Sequence, residues 1–332
     1  MIDDKRRRIY VDFSTLSRFG DCKEQQRLGG VLGYRLPARD AKLAFGSAIH
    51  AGWEALYATE GDIDRAKIAF MRSIGFVDGV IPLTCEPGER RSVERGLALL
   101  DAYRWRWRNE RFVNFATPLT EQGFLYFLTT FEGYDVFYVG YIDRIMLRLE
   151  SQRPIGFEGK TTTMALQQFV RRVKPNPQIT GYYRGAREVL RKIGWDGPEL
   201  KEFVWDAMFL SDRAPDMGRA ARGTDHRFWM YGIDVEKDFA RATTTRSEAD
   251  FTEFLYDAEQ NAIEYCRWLT SSTTRWPRSA PRACHTYGGC QFIERCSMNF
   301  TPEDELRFMN DRYVVDRWAP WEKIVDTFEV IA

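Results

Sequence analysis

Positions 121 to 149 carry a dense run of strand-forming residues that few architectures can accommodate. Two segments, 121–131 and 134–149, are rich in aromatic and β-branched side chains, and Glu132-Gly133 between them is a turn signal. A second turn over 151–154 leads into a short apolar strand that ends at Glu158. We therefore expect a hairpin beside a third strand, and the helical patterns on either side predict an α/β protein.

Helical patterns lie before and after these strands. Asn176 is a good N-cap with Pro177 at the first helical position, so a helix should begin there and end near Gly194. The predicted helices cover 14–28, 45–57, 89–109, 164–173, 178–193 and 247–269, further strands cover 203–210 and 225–235, and a basic loop covers 211–224.

Composition indicates a folded globular chain. The 332 residues are 44% hydrophobic and 14% aromatic, which argues against disorder, and the length suffices for one elaborated domain or for a core with a helical lobe. No apolar run approaches the length of a membrane helix, and no signal-type segment follows the N-terminal basic residues. We therefore expect a cytoplasmic protein.

The charged residues balance overall but not locally. Lys and Arg total 48, as do Asp and Glu, so the chain has no net charge that would attract nucleic acid. Between 144 and 192, however, eleven basic residues outnumber three acidic ones, as binding to a phosphate backbone requires. The candidates for DNA contact are Arg144, Arg171, Arg172 and Arg184. Solvated helix faces are the alternative explanation.

Glu158, Lys160 and Asp143 form the strongest chemical constellation. Side chains alternate along a strand, so Glu158 and Lys160 point the same way and Asp143 can meet them from the neighbouring strand. Two carboxylates suit Mg²⁺ or Mn²⁺, and an ammonium can position water and offset charge on a phosphate, which is nuclease chemistry. Asp/Glu-x-Lys recurs at four other places, so an exposed ion pair at a strand end is the alternative.

Two helical patterns could complete such a site. Gln178 and Tyr182 are four residues apart and share a helix face, where polar groups could hold a scissile phosphate. His50 lies one turn before Glu54 and is a good Mn²⁺ ligand by type. For both patterns, ordinary packing in the core or at the surface is the alternative.

The cysteines suggest a second metal centre. Disulfides are not expected without a secretion signal. Five residues separate Cys284 from Cys290 and Cys290 from Cys296, and Cys22 could supply a fourth thiolate if the chain ends meet. Four thiolates fit an iron–sulfur cluster or Zn²⁺, and buried unliganded thiols are the alternative. The other two cysteines are Cys85 and Cys266.

Six motifs in this order resemble the RecB-like branch of the PD-(D/E)XK nuclease superfamily, in particular the CRISPR-associated RecB-like exonucleases and the AddB nuclease domain. They are residues 14–22, 46–50, 140–143, 158–160 and 178–182 and the late cysteines, so the resemblance spans residues 14–300. One departure concerns the cysteines. Relatives usually have two that are separated by two residues, whereas five residues separate Cys284 from Cys290.

The resemblance implies a restriction-endonuclease-like mixed sheet flanked by helices. It implies an N-terminal helical region at 1–111, a nuclease core at 112–236, a C-terminal helix with the cysteine cluster at 237–300, and a tail at 301–332. The implied ligands of Mg²⁺ or Mn²⁺ are His50, Asp143, Glu158 and the Gly159 carbonyl. Lys160 would position the attacking water, and Gln178 and Tyr182 would contact DNA. The implied [4Fe-4S] ligands are Cys22, Cys284, Cys290 and Cys296, with Zn²⁺ as the alternative.

We therefore expect a metal-dependent DNA exonuclease that acts on single-stranded ends, in recombination or repair, phage DNA processing or CRISPR adaptation. The tail, with Trp318 and Trp321, falls outside the resemblance and is the expected docking segment for a recombination, helicase or CRISPR partner. The alternatives are a non-catalytic DNA-binding or assembly subunit on the same scaffold and a sequence-specific endonuclease.

Overall fold

The chain folds into two compact units. The structure, a computed structural model, describes residues 2–37, 41–76, 89–174, 176–223, 226–279, 282–285, 289–317, 319 and 321–324. The first unit contains residues 1–38, 123–140 and 248–332, and the second contains residues 39–122 and 141–247. These discontinuous units differ from the linear series of regions predicted above, because the two strands of the long hairpin each contribute residues to both units.

Ten strands are present in the described residues. They are β1 (Ile2–Asp3), β2 (Arg8–Val11), β3 (Tyr34–Arg35), β4 (Phe112–Val113), β5 (Leu119–Phe131), β6 (Tyr134–Arg148), β7 (Pro154–Thr162), β8 (Glu202–Phe209), β9 (Phe239–Thr244) and β10 (Val314–Val315).

Twelve α-helices are also described, together with a π-helical turn at Gln26–Val31 and 3₁₀ turns at Arg171–Val173 and Arg227–Tyr231. They are α1 (Phe13–Asp21), α2 (Lys23–Gln25), α3 (Ala41–Ala58), α4 (Ile63–Ser73), α5 (Val93–Arg106), α6 (Leu166–Val170), α7 (Pro177–Lys192), α8 (Met217–Ala220), α9 (Glu248–Leu269), α10 (Arg282–His285), α11 (Ile293–Ser297) and α12 (Pro302–Arg312).

The second unit is built on a mixed sheet. Strand β6 runs antiparallel to β7, β7 runs parallel to β8, and β8 runs antiparallel to β9. Apolar side chains of the sheet, such as Phe157 and Met208, share one buried core with Phe45 and Ile49 of α3 and Leu99 of α5. The expected α/β architecture, a mixed sheet flanked by helices, is confirmed.

The first unit gathers both ends of the chain. Strand β2 pairs in parallel with the first half of β6, and β10 pairs with β3. Leu28, Phe292, Met309 and Tyr313 form a small buried core that joins N-terminal and C-terminal segments. The described part of the predicted tail therefore packs within this unit, while Trp318 lies outside the described residues and a docking role for the tail stays a prediction.

Several expected elements differ in the structure. The helix expected over 14–28 is interrupted at Cys22, whose extended backbone ends α1 and precedes α2. The prediction of a strand over 225–235 is wrong for the residues that the structure describes, which begin at 226. A 3₁₀ turn forms there instead, with Phe228 and Trp229 buried. Helix α4 and strand β9 were not expected. Among the described residues, no helix has both the length and the apolar character needed to cross a bilayer.

Candidate functional site

Strand β7 presents Glu158 and Lys160 on one face. Buried Ile155 and Phe157 hold the strand in the core, and strand alternation turns the two charged residues together. The Lys160 Nζ atom lies 2.5 Å from Glu158 Oε1. Glu158 is buried, and its second oxygen, Oε2, has no hydrogen-bond partner within the described part of the chain. A buried carboxylate oxygen without a donor suits a cation.

Asp143 on β6 bridges β7 and α3. Its Oδ2 accepts a short hydrogen bond from the Gly159 N–H, and its Oδ1 lies 3.4 Å from Nδ1 of His50 on α3. Only glycine fits at 159, since an added Cβ would lie 2.4 Å from the Trp53 ring and 3.0 Å from Asp143 Oδ2. The Glu-Gly-Lys sequence thus lets Asp143 approach the backbone between the two charged side chains.

Glu121 joins this group, although the sequence analysis did not select it. His50, Glu121 and Asp143 each offer a ligand atom within 4.8 Å of the others. Glu121 lies in β5 with a φ of +46°, a left-handed conformation that is uncommon for a non-glycine residue. The hairpin register could have indicated this residue. If the two strands pair outward from the two-residue turn at 132–133, position 121 lies opposite position 144 and therefore beside Asp143.

The charges in the site shift one another's pKa values. Burial acts to raise the pKa of Asp143, but His50, Lys160 and the Gly159 N–H outweigh burial and hold it below its ordinary value. Burial and the Asp143 charge raise the pKa of Glu158 to about 7 and that of Glu121 to about 8. Burial acts to lower the pKa of Lys160, yet Glu158 and Asp143 raise it, so Lys160 remains an ammonium group.

Helix α7 brings Gln178 and Tyr182 to the same carboxylate. Asn176 caps the helix as expected, since its side chain accepts a hydrogen bond from the Ile179 N–H at 3.2 Å, and Pro177 follows it. The Gln178 Nε2 donates to Glu158 Oε1 and to the Tyr182 hydroxyl, at 3.1 Å each. The predicted pair therefore lies beside Glu158.

A small cavity lies next to the acids. Its volume is about 10 Å³, enough for about one water molecule or a small ion, and its lining includes His50, Glu54, Glu121 and Asp143. Oxygen ligands with one imidazole fit Mg²⁺ or Mn²⁺ better than a thiolate-preferring metal. His50 and Asp143 of the implied ligand set, together with Glu121, thus fit a divalent ion, whereas Glu158 is not part of this group of three.

Arg144 does not take the expected place. Its guanidinium is buried 2.5 Å from Asp206 Oδ2 and lies 4.0 and 4.3 Å from the ring centroids of Tyr57 and Phe157. Arg241 also pairs with Asp206, at 3.1 Å. The prediction that Arg144 contacts DNA is wrong, because the side chain is only 2% exposed and already pairs with Asp206.

The other candidates for DNA contact have different exposures. Arg171 and Arg172 lie in an exposed 3₁₀ turn after α6, where a phosphate could reach them, and Arg184 on α7 is half-buried. Their contact with DNA stays a prediction.

The four predicted cluster cysteines line one cavity of the first unit. Its volume is about 230 Å³, and Cys22, Cys284, Cys290 and Cys296 all face it. The Cys290 N–H donates to the Cys284 carbonyl at 2.8 Å, and Gly289 between them has a φ of +100°, so the backbone turns around the cavity. Cys266 is buried elsewhere as a free thiol, and Cys85 lies outside the described residues.

The spacing of these thiols bears on which metal they could hold. Tetrahedral Zn²⁺ with bonds of about 2.3 Å would hold its sulfur atoms about 3.8 Å apart. No three of the described cysteine sulfurs lie within 4.8 Å of one another. The sulfur atoms are therefore spaced more widely than a single tetrahedral zinc ion would hold them.

An ion pair joins the two ends of the chain beside this cavity. Glu24, two residues after Cys22, lies 2.9 Å from Arg295, which precedes Cys296, and both side chains are buried. Glu24 also accepts from the Trp276 N–H at 2.9 Å. The first and last cysteines are therefore held near each other by protein contacts.

No family model matches this chain, and no curated protein is significantly similar to it.

Proposed function

We propose that this chain is a divalent-metal-dependent deoxyribonuclease of the RecB-like PD-(D/E)XK type, with a restriction-endonuclease-like core, that digests DNA from single-stranded ends. One observation carries the proposal. Asp143 contacts both His50 of α3 and the Gly159 N–H between Glu158 and Lys160, and Asp143 and His50 line a cavity that suits one small ion.

The acids and the imidazole would hold Mg²⁺ or Mn²⁺. His50, Asp143, Glu158 and the Gly159 carbonyl are the proposed ligands, and Glu121 adds a further carboxylate. When bound, such an ion activates water and neutralises charge on the phosphate. The pairing of Asp143 with the Gly159 N–H and with His50 fixes the carboxylate before any ion arrives, which lowers the cost of binding.

Lys160 and α7 would act on the substrate side. As an ammonium group, Lys160 donates hydrogen bonds, so its role is to orient the attacking water and stabilise negative charge rather than to accept a proton. Gln178 and Tyr182 would hold the phosphate beside Glu158, while Arg171, Arg172 and Arg184 would contact the DNA backbone. In the first unit, a [4Fe-4S] cluster on the four cysteines would fasten the two ends of the chain.

The test is digestion of end-labelled single-stranded DNA in Mn²⁺, with EDTA as the control and a closed single-stranded circle as a second substrate. Shortening of the linear strand alone is expected. Cutting of the circle would show that the chain is an endonuclease rather than an exonuclease. DNA binding without hydrolysis in Mg²⁺ or Mn²⁺ would overturn the proposal in favour of a non-catalytic subunit.

A further inference from the structure

A surface of the second unit concentrates arginines around two tryptophans. We name it the arginine–tryptophan surface and define it as Trp105, Arg108, Arg219, Arg222 and Arg227, together with the buried Trp229 ring against which Arg219 lies. Arg108 and Arg227 both contact the Trp105 ring, at 4.2 and 4.9 Å from its centroid, and Arg219 lies 3.8 Å from the centroid of Trp229. The Asp216 N–H donates to the Trp229 carbonyl at 2.8 Å and holds α8 against the 3₁₀ turn.

The acids described around this surface have partners other than its arginines. Asp212 pairs with Arg90, Glu236 pairs with Arg106, and the Asp216 side chain caps α8. Asp225 lies outside the described residues. In the described part of the chain, none of the surface's four arginines forms an ion pair with a carboxylate. Such a surface attracts a polyanion.

Exposed apolar side chains lie among these arginines. Met217 is 64% exposed, Met230 is 42% exposed and Tyr231 is 37% exposed. A tyrosine ring and polarizable thioethers offer faces on which bases can stack, and single-stranded nucleic acid is bound by this combination of cationic groups and stacking faces. A polyanion without flat bases would use the arginines alone.

We propose that the arginine–tryptophan surface binds single-stranded nucleic acid, with phosphates at the arginines and bases against Tyr231 and its methionine neighbours. Contact with the indoles limits the freedom of the guanidinium groups, so less entropy is lost when a phosphate binds. The binding of single-stranded nucleic acid does not depend on the proposed function; only the identification of that strand as the DNA substrate does. If the proposed function holds, this surface would bind a part of the substrate strand that lies away from the catalytic residues.

The test is fluorescence anisotropy of a labelled 20-nucleotide oligo(dT) with the full chain in EDTA, where intact oligonucleotide is verified on a gel. Arg108→Ala with Arg227→Ala should weaken binding about tenfold and reduce the salt slope by about 1.4, because two phosphate contacts are lost. Arg65→Ala with Arg72→Ala, exposed arginines on α4, is the matched control and should change neither. Tyr231→Ala should weaken binding at least about fivefold through lost stacking.

Three results would overturn the inference. The first is an unchanged affinity and salt slope in the Arg108/Arg227 variant, and the second is an equal loss of oligo(dT) affinity in the α4 control. The third is competition by poly-glutamate as strong as that by unlabelled oligo(dT), which would identify an acidic polypeptide as the occupant. Circular dichroism and thermal unfolding verify that each variant folds. Arg227→Lys keeps the charge but loses the stacked guanidinium, so it should bind more strongly than Arg227→Ala and more weakly than the original chain. The binding experiment contains no divalent metal, so its result holds even if the chain does not hydrolyse DNA. Conversely, a negative binding result would not contradict the proposed catalytic function.

Discussion

Arg144 and Asp206 form an ion pair of 2.5 Å in the interior of the second unit, and both side chains are almost completely shielded from solvent. Arg144 directly follows Asp143 in β6, and Asp206 in β8 lies opposite Gly159 of β7 in the sheet register. The pair therefore links β6, which carries Asp143, to β8 across β7, which carries Glu158 and Lys160. A buried pair of this kind supports the geometry of the site without touching a substrate.

Asp206→Asn should lower the free energy of unfolding by about 3–5 kcal/mol, since it leaves Arg144 and Arg241 with insufficient negative charge in a buried environment. Urea unfolding followed by circular dichroism measures the loss. Arg65→Ala, which removes an exposed pair with Asp62, is the control and should cost about 1 kcal/mol or less. A loss below 1 kcal/mol for Asp206→Asn would contradict the structural role of the pair.

Gly159→Ala should lower the free energy of unfolding by about 1–3 kcal/mol, because the new methyl group overlaps the Trp53 ring and displaces Asp143. Gly20→Ala is the matched control. Position 20 lies in α1 with no atom within 4 Å of an added Cβ, so alanine there should be neutral or stabilising. Equal stability changes for the two variants would show that position 159 tolerates a side chain.

Glu121→Gln should weaken Mn²⁺ binding at least about tenfold, because a carboxylate within ligand distance of His50 and Asp143 is lost. Isothermal titration calorimetry with the full chain measures this directly. Glu94→Gln, on the exposed face of α5, is the control and should leave the affinity unchanged. An unchanged affinity for Glu121→Gln would remove this residue from the site.

Anaerobically purified protein should contain iron and absorb visible light, and Cys22→Ser or Cys296→Ser should remove most of both. Elemental analysis and visible absorbance are the measurements. Cys266→Ser is the control, because that thiol is buried in α9 and does not line the cysteine cavity. Stoichiometric zinc in a colourless protein would show that the thiols hold zinc rather than the larger cluster.

Local signals in the sequence predicted the parts of the fold that depend on them. Asn176 and Pro177 determine where α7 begins, and the turn at Glu132-Gly133 determines the hairpin, so both elements could be read from neighbouring residues. Strand alternation predicted that Glu158 and Lys160 share a face, whereas Glu121 was missed. Cys22 interrupts the predicted N-terminal helix because it faces a cavity formed with distant residues, which no local pattern encodes.

Burial of charge was the main quantity that the sequence did not provide. Arg144 was assigned to a DNA-binding stripe on charge count alone, yet Asp206, which neutralises it, comes from a strand more than sixty residues away. The predicted strand over 225–235 failed for a similar reason. Its aromatic residues Phe228 and Trp229 pack in a 3₁₀ turn, and tertiary contacts outweigh their strand preference.

The most direct test of the central claim is the single-turnover rate of DNA hydrolysis by Lys160→Ala in saturating Mn²⁺. Lys201→Ala is the matched control, because Glu199 and Lys201 have the same acid-x-lysine spacing outside the site. The expected result is a hydrolysis rate reduced at least about 100-fold for Lys160→Ala, with DNA affinity nearly unchanged. The rate of Lys201→Ala should be normal. Equal rates for the two variants would contradict the assignment of Asp143, Glu158 and Lys160 as a nuclease centre.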